Sequence, residues 1–105
     1  MTEKAMGPSG PGTVVMDLGG EIGALILYTP DDLDGREIEI SRDDEPDGHR
    51  THSQVRARHM PGVTRYAAVY PGLRGGAYTI WGDEVNPLGT VVINGGQVTS
   101  WRWPS

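Results

Sequence analysis

The chain contains no cysteine and no phenylalanine among its 105 residues. Because it has no thiol, disulfides, thiolate zinc sites and cysteine nucleophiles are excluded. Because it has no phenylalanine, the core must come from Val, Ile and Leu together with four tyrosines and three tryptophans. Long apolar runs are also absent. The longest, residues 22–28, is far too short to cross a bilayer, so we expect no membrane partner.

Positive charge is scarce as well. Nine Lys and Arg stand against fourteen Asp and Glu, and this net charge of −5 predicts no nucleic-acid partner. The first ten residues, MTEKAMGPSG, contain neither an apolar run nor a basic leader, so we expect no secretory signal and a cytoplasmic protein. Residues 1–12 are predicted to form a flexible arm and residues 13–105 a single domain.

Glycine and proline, in contrast, are abundant, with 16 and 8 copies. They separate short segments that are apolar or alternate between apolar and polar residues. These segments are residues 13–18, 22–29, 36–41, 51–60, 63–70, 77–81, 89–93 and 97–103. No window keeps the helical apolar period, so the pattern predicts an all-β fold, a sandwich of seven to eight antiparallel strands. Asn94-Gly95 between two of these segments indicates a hairpin turn.

The stretch YPGLRGGAYTIWG, residues 70–82, places a Pro-Gly and a Gly-Gly pair directly before an alternating segment. A chain that reverses direction repeatedly needs glycine at its corners, so the Gly-Gly pair is predicted to turn the chain before the strand 77–81. Alternation then places Tyr78 and Ile80 on one face of that strand and Trp81 on the other.

The same stretch, followed by GTVVINGGQVTSWRW, resembles the closing half of the prealbumin-like, or transthyretin-like, seven-stranded sandwich. This group includes the carboxypeptidase regulatory domain and the collagen-adhesin B-type repeats, and the first half of the chain is also similar to small actinobacterial proteins. The resemblance covers about a third of the chain, and Arg74 stands where proline is usual. The matching positions are Tyr70, Gly72, Leu73, Gly75, Gly76, Tyr78, Ile80, residues 90–93, Gly95, Gly96 and residues 98–103.

The resemblance implies a fold and no activity. Adhesin repeats often carry a Lys–Asn isopeptide bond, but the only lysine here is Lys4, in the predicted arm. Hydroxyisourate hydrolases of the same fold end in Tyr-Arg-Gly-Ser, whereas this chain ends in Trp-Arg-Trp-Pro-Ser. Neither chemistry is therefore expected.

Charge is unevenly distributed along the chain. Residues 31–50 hold nine acids and three arginines, a net of −6, whereas residues 51–75 hold four arginines and no acid, a net of +4. If the segments 36–41 and 51–60 are neighbours, Glu37 and Glu39 are expected to face Arg56 and Arg58 across the sheet. The alternative is an anion- or partner-binding strip, since alternation places four side chains on one face of segment 51–60 and arginine forks bind two oxygens at once. These four are His52, Gln54, Arg56 and Arg58.

Residues 43–54 raise the question of a metal. Asp43, Glu45 and Asp47 stand at the first, third and fifth positions of a calcium-loop spacing, with Gly48 at the sixth. The twelfth position is Gln54 instead of the usual glutamate, which favours a solvated acidic turn.

The same region offers a zinc alternative. His49 and His52 bind one zinc ion only if the loop bends, with Asp47 or His59 as third ligand. We therefore expect no cofactor, with calcium or zinc at Asp43, Glu45, Asp47 and His49 as the alternative.

The tryptophans admit two interpretations. Trp101 and Trp103 share a face of the last segment, and with Trp81 they are expected to replace phenylalanine in the core. If exposed, the three side chains form an aromatic platform for sugars or for a partner protein.

No nucleophile motif or phosphate loop is present in the sequence. The sequence therefore favours a non-catalytic binding or accessory module that engages a partner protein, or a second copy as a homodimer, through a sheet face or edge. The alternatives are a metal-dependent or hydrolytic enzyme centred on residues 43–59 and a carbohydrate-binding module that uses the tryptophans.

Overall fold

The computed structural model describes residues 19–45 and 49–104, which form eight strands and one short 3₁₀ turn at Asp31–Leu33. The strands are β1 (Ile22–Thr29), β2 (Glu37–Arg42), β3 (Arg50–Gln54), β4 (Arg56–Met60), β5 (Val63–Arg74), β6 (Gly76–Trp81), β7 (Pro87–Ile93) and β8 (Val98–Arg102). In this part of the chain no helix is long and apolar enough to cross a membrane. The predicted strand 13–18 and the predicted arm 1–12 lie outside the described residues.

The strands form two four-stranded sheets, which confirms the all-β sandwich. Sheet I has the order β4-β5-β1-β8, and sheet II has the order β3-β2-β6-β7. All pairs are antiparallel except one: β8 runs parallel to β1, with Leu27 beside Trp101. The expectation of a purely antiparallel sandwich is wrong at this pair.

The hairpin predicted at Asn94-Gly95 is also wrong, because the two strands that flank the turn do not pair with each other. β7 lies in sheet II and β8 in sheet I, so the turn carries the chain from one sheet to the other. The turn is closed by the Gln97 N–H, which donates to the Asn94 carbonyl at 3.2 Å, and Gly96 adopts φ +77°. β8 consequently enters the edge of sheet I in the direction of β1.

The segment 51–60 is two strands, not one. Val55 separates β3 in sheet II from β4 in sheet I and is fully buried at the corner. Its N–H donates to the Arg36 carbonyl at 2.9 Å, and its carbonyl accepts from the Gly35 N–H at 2.8 Å. Burial of an apolar side chain and satisfied backbone groups therefore stabilise a corner without Gly or Pro.

The strand expected to end at residue 70 continues through Pro71 and Gly72 to Arg74. β4 pairs with β5 only up to Ala67. Pro71 has no N–H to donate, but on this side of β5 no neighbouring strand of the described chain is there to accept it. The chain then changes sheet at Gly75, where the Arg42 guanidinium donates to the carbonyls of Arg74 (3.1 Å) and Gly75 (2.7 Å). The glycine corner predicted before β6 is thus held by an arginine from β2.

The core lies between the two sheets and is aliphatic with two tyrosines. Tyr78 and Ile80, which share one face of β6 as alternation predicts, both point into it. Tyr70 donates its hydroxyl proton to the Ile38 carbonyl and so ties sheet I to sheet II. Burial raises the pKa of the Tyr70 phenol well above its ordinary value, which keeps the donor protonated. The buried cluster comprises Leu25, Leu27, Ile38, Ile40, Val55, Ala68, Tyr70, Leu73, Tyr78, Ile80, Val91 and Ile93.

Candidate functional site

The four strands of sheet I contain no aspartate or glutamate. The same strands contain five arginines: Arg56, Arg58, Arg65, Arg74 and Arg102. The strands of sheet II, in contrast, carry two acids and two arginines: Glu37, Glu39, Arg42 and Arg50. The strands of sheet I are therefore cationic and those of sheet II have no net charge, while the other described acids of residues 31–45 lie in the connecting segments.

Four of these arginines lie together at one end of the outer surface of sheet I. The strand register aligns Arg56, Ala67, Tyr28 and Arg102 in one row across the sheet. Side chains alternate along each strand, so Arg58 and Arg65 follow on the same outer surface. We call this surface the arginine face; it comprises Tyr28, Arg56, Arg58, Arg65 and Arg102.

Arg58 and Arg65 are direct cross-strand partners, and like charges placed opposite one another destabilise a sheet. The Arg65 guanidinium lies over the Tyr28 ring, 5.6 Å from its centroid, and Arg58 donates to the Ala67 carbonyl at 3.3 Å. Burial, followed by the charge of Arg56, lowers the pKa of Arg58 from its ordinary value.

Toward the middle of sheet I the outer surface becomes apolar. Ile26 pairs with Val69 on one side and with Ser100 on the other, and Val98 follows beside Ala24. Ile26 and Val69 are half-buried, whereas Val98 is exposed. The surface thus changes along the strand direction from cationic to apolar.

A groove of about 390 Å³ adjoins the arginine face where β1 ends. Arg65 and Arg102 contribute to it from the outer surface, and Tyr66 and Trp103 contribute from the side that packs against the core. The full lining is Tyr28, Thr29, Pro30, Asp31, Thr64, Arg65, Tyr66, Arg102 and Trp103.

The outer surface of sheet II is organised differently, because its charges are paired. Glu37 contacts His52 at 3.0 Å and Glu39 contacts Arg50 at 2.8 Å. The Arg50 guanidinium also lies over the Trp81 ring, 3.9 Å from its centroid. The cross-strand pairing of the two glutamates with Arg56 and Arg58 is therefore wrong; their partners come from β3.

The predicted strip of four side chains is divided between the sheets. His52 and Gln54 belong to β3 in sheet II, whereas Arg56 and Arg58 belong to β4 in sheet I. Alternation counted through 51–60 fails because Val55 is a corner and not a strand residue. Only the two arginines lie on the arginine face.

The metal-ligand residues are not gathered in the described part of the chain. Asp43 accepts a hydrogen bond from the Thr79 hydroxyl at 2.6 Å, while Glu45 and His49 line a shallow cavity beside β2. Within residues 19–45 and 49–104 no three His, Asp or Glu side chains are grouped as metal ligands would be. Asp47 lies outside those residues, so the calcium site that includes it stays a prediction.

The zinc alternative meets a separate obstacle. His52 lies in sheet II beside Glu37, and His59 lies in sheet I, where its Nδ1 is 3.0 Å from the Thr64 hydroxyl. The structure does not bring these two histidines together.

The three tryptophans are divided between the two sheets and form no common platform. The Trp81 indole donates to the Ser41 hydroxyl at 2.9 Å on the outer surface of sheet II. Trp101 and Trp103 are half-buried and pack against the core from sheet I, as the core interpretation predicts. The Trp103 ring also lies 5.5 Å from the Arg36 guanidinium.

The loop between β6 and β7 is closed by a carboxylate. Asp83 accepts hydrogen bonds from the side-chain amide of Asn86 and from the backbone N–H groups of Val85 (2.9 Å) and Asn86 (2.8 Å). The side-chain bond first, and the two backbone bonds next, lower the pKa of Asp83. The folded chain therefore favours the ionised form of Asp83 more than the unfolded chain does, and ionisation of Asp83 stabilises the fold.

The pH dependence of Asp83→Asn tests this capping. The stabilisation by Asp83 is fully present above the unfolded-state pKa of about 4 and is lost as the pH falls through the lower folded-state value. We expect wild type to melt at a higher temperature than Asp83→Asn near neutrality and the difference to shrink below about pH 4. Thermal melts from neutral to acidic pH measure this. A difference in melting temperature that stays constant with pH would contradict it.

The chain matches no protein-family model, no curated protein and no solved structure. The resemblance to the prealbumin-like group therefore stays a prediction.

Sequence reasoning did not single out Tyr28, Arg65, Tyr66 or Arg102. A partial signal was present, because segments 51–60, 63–70 and 97–103 each contain arginine and no acid, whereas 77–81 and 89–93 contain neither. What the sequence does not reveal is that these segments are neighbours.

Proposed function

We propose that this chain is a non-catalytic binding module that engages an acidic partner protein through the arginine face. The observation that carries the proposal is the charge of sheet I: its strands lack carboxylates, and four of its arginines share one end of its outer surface with Tyr28. Arginine forks suit carboxylates because each presents parallel N–H donors to two oxygens.

The arrangement of the surface defines the partner segment further. Arginines occupy one end, and Ile26 and Val69 lie in the next row along the strands. An extended segment with apolar side chains followed by acidic ones fits this order, because alternate side chains of a strand point to one side. Rim charges of this kind mainly accelerate association and make binding sensitive to salt.

A labelled peptide, Val-Ser-Val-Ser-Glu-Ser-Glu-Ser, tests the proposal by fluorescence anisotropy. We expect it to bind at low salt and to weaken about tenfold in Arg56→Gln/Arg102→Gln, because two charge-assisted contacts are lost. The matched control is Arg74→Gln. Arg74 is exposed on the same β5 strand as Arg65, nine residues away and thus roughly 30 Å along it.

Two outcomes would contradict the proposal. If Arg74→Gln weakened the peptide as much as the double variant, the attraction would be general and not located at the arginine face. If duplex DNA of equal charge bound more tightly than the peptide, an acidic protein partner would be the wrong occupant. The same conclusion would follow if a peptide with lysine in place of both glutamates bound as tightly as the original.

A further inference from the structure

The groove at the end of β1 has two layers with different chemistry. On the inner layer Thr29 lies between Tyr66, its direct partner on β5, and Trp103, whose backbone N–H donates to the Tyr28 carbonyl at 2.8 Å. Strands lie about 4.8 Å apart, so the two aromatic residues are separated by roughly 10 Å of backbone. We call the space over the short Thr29 side chain, between these two aromatic residues, the notch.

The outer layer of the groove is cationic. Arg102 is the direct partner of Tyr28 on β8, and the Arg65 guanidinium lies 5.6 Å from the Tyr28 ring centroid on the other side. Both guanidiniums line the groove together with one carboxylate, Asp31, so its described lining has a net charge of +1. The two cations therefore flank the mouth of the notch.

The Thr29 hydroxyl of the notch already has a hydrogen-bond acceptor within the chain. The Thr29 hydroxyl donates to the adjacent Pro30 carbonyl at 2.9 Å, which leaves its methyl group to contact a ring. The volume of about 390 Å³ lies within the range of small-molecule sites, and the lining combines aromatic and charged side chains.

We propose that this groove binds a small aromatic acid, a planar ring held between Tyr66 and Trp103 with its anionic group held by Arg65 and Arg102. Stacked rings are favourable when they are offset, and the arginine forks bind the acid at two oxygens. Asp31 adds an acceptor, which suits a ring that also carries an N–H or O–H donor. This site shares two arginines with the arginine face but does not require the acidic partner.

Indole-3-acetate is a suitable probe because it combines a planar ring, an acid and an N–H donor. A titration followed by ¹H–¹⁵N NMR is expected to shift the signals of Thr29, Tyr66 and Trp103. The affinity for indole-3-acetate should exceed the affinities for its neutral amide and for acetate by about tenfold each. The amide lacks the anionic group that the arginines bind, and acetate lacks the planar ring. Equal affinity for the amide, or shifts that cluster elsewhere, would overturn the proposal.

Variants separate this site from the arginine face. Arg102→Gln should weaken indole-3-acetate about tenfold, whereas Arg74→Gln should leave it unchanged. Thr29→Leu fills the notch and should abolish binding of the aromatic acid while the acidic peptide still binds. If Thr29→Leu retains a wild-type melt and binds indole-3-acetate normally, the notch is not the site; if it does not fold, the Arg102→Gln result decides.

Discussion

Gly95→Ala is expected to lower the free energy of unfolding by about 3 kcal/mol, which places it among the severe single substitutions. A Cβ at this position would overlap the Gly20 carbonyl oxygen and lie 2.9 Å from the Glu21 Cα. These are backbone atoms, so no rotamer change relieves the contact. The neighbouring Gly96 N–H donates to the Ile22 carbonyl at 2.8 Å. This bond holds the turn between β7 and β8 against the turn that precedes β1, residues 19–22.

Urea unfolding followed by circular dichroism measures the loss, and a melt should show a fall in Tm of roughly 12–24 °C. Gly96→Asn is the matched control. Gly96 has φ +77°, but a Cβ there would meet nothing within 4 Å, and asparagine tolerates that backbone conformation. A Gly95→Ala protein as stable as Gly96→Asn would show that the two turns are not in close contact.

Gly89→Val is expected to lower the free energy of unfolding by about 2–3 kcal/mol through overpacking. Gly89 lies on β7 in sheet II, and its Cβ would be 2.7 Å from Cζ2 of Trp101 on β8 in sheet I. The indole fills the space that the missing side chain leaves between the sheets. Displacing it toward solvent should also move the tryptophan emission to longer wavelength.

A double-mutant cycle shows whether the cost arises at this contact. In a Trp101→Leu background the same Gly89→Val substitution should cost about 1–2 kcal/mol less, because the smaller side chain leaves room. Thr90→Val, at an exposed position of the same strand, should change the free energy of unfolding by less than about 0.5 kcal/mol. Strict additivity in the cycle would mean that Trp101 does not pack on Gly89.

The sequence predicts those parts of the fold that depend on local chemistry. β1 is predicted with its observed bounds because an apolar run lies between glycine and proline. Tyr78 and Ile80 are predicted to share one face because alternation is a property of the strand itself. In each case the residues that decide the structure are near neighbours in the chain.

The remainder depends on contacts between distant segments. Val55 becomes a corner because residues 35 and 36 satisfy its backbone groups, and no turn residue at that position indicates it. The arginine face and the groove likewise combine β1, β5 and β8, and β4 in the case of the face. A strand pattern assigns side chains to faces but does not say which strand lies beside which, so the candidate site required the structure.

The parallel pairing of β1 with β8 governs how the protein folds. β1 and β8 are the first and last of the eight strands, so the contact between Leu27 and Trp101 closes a loop that contains almost the whole described chain. Loops of that length form late and favour slow folding, on a timescale of milliseconds to seconds. During synthesis on the ribosome, one flank of β1 therefore stays without its neighbour until the β8 segment has emerged from the exit tunnel.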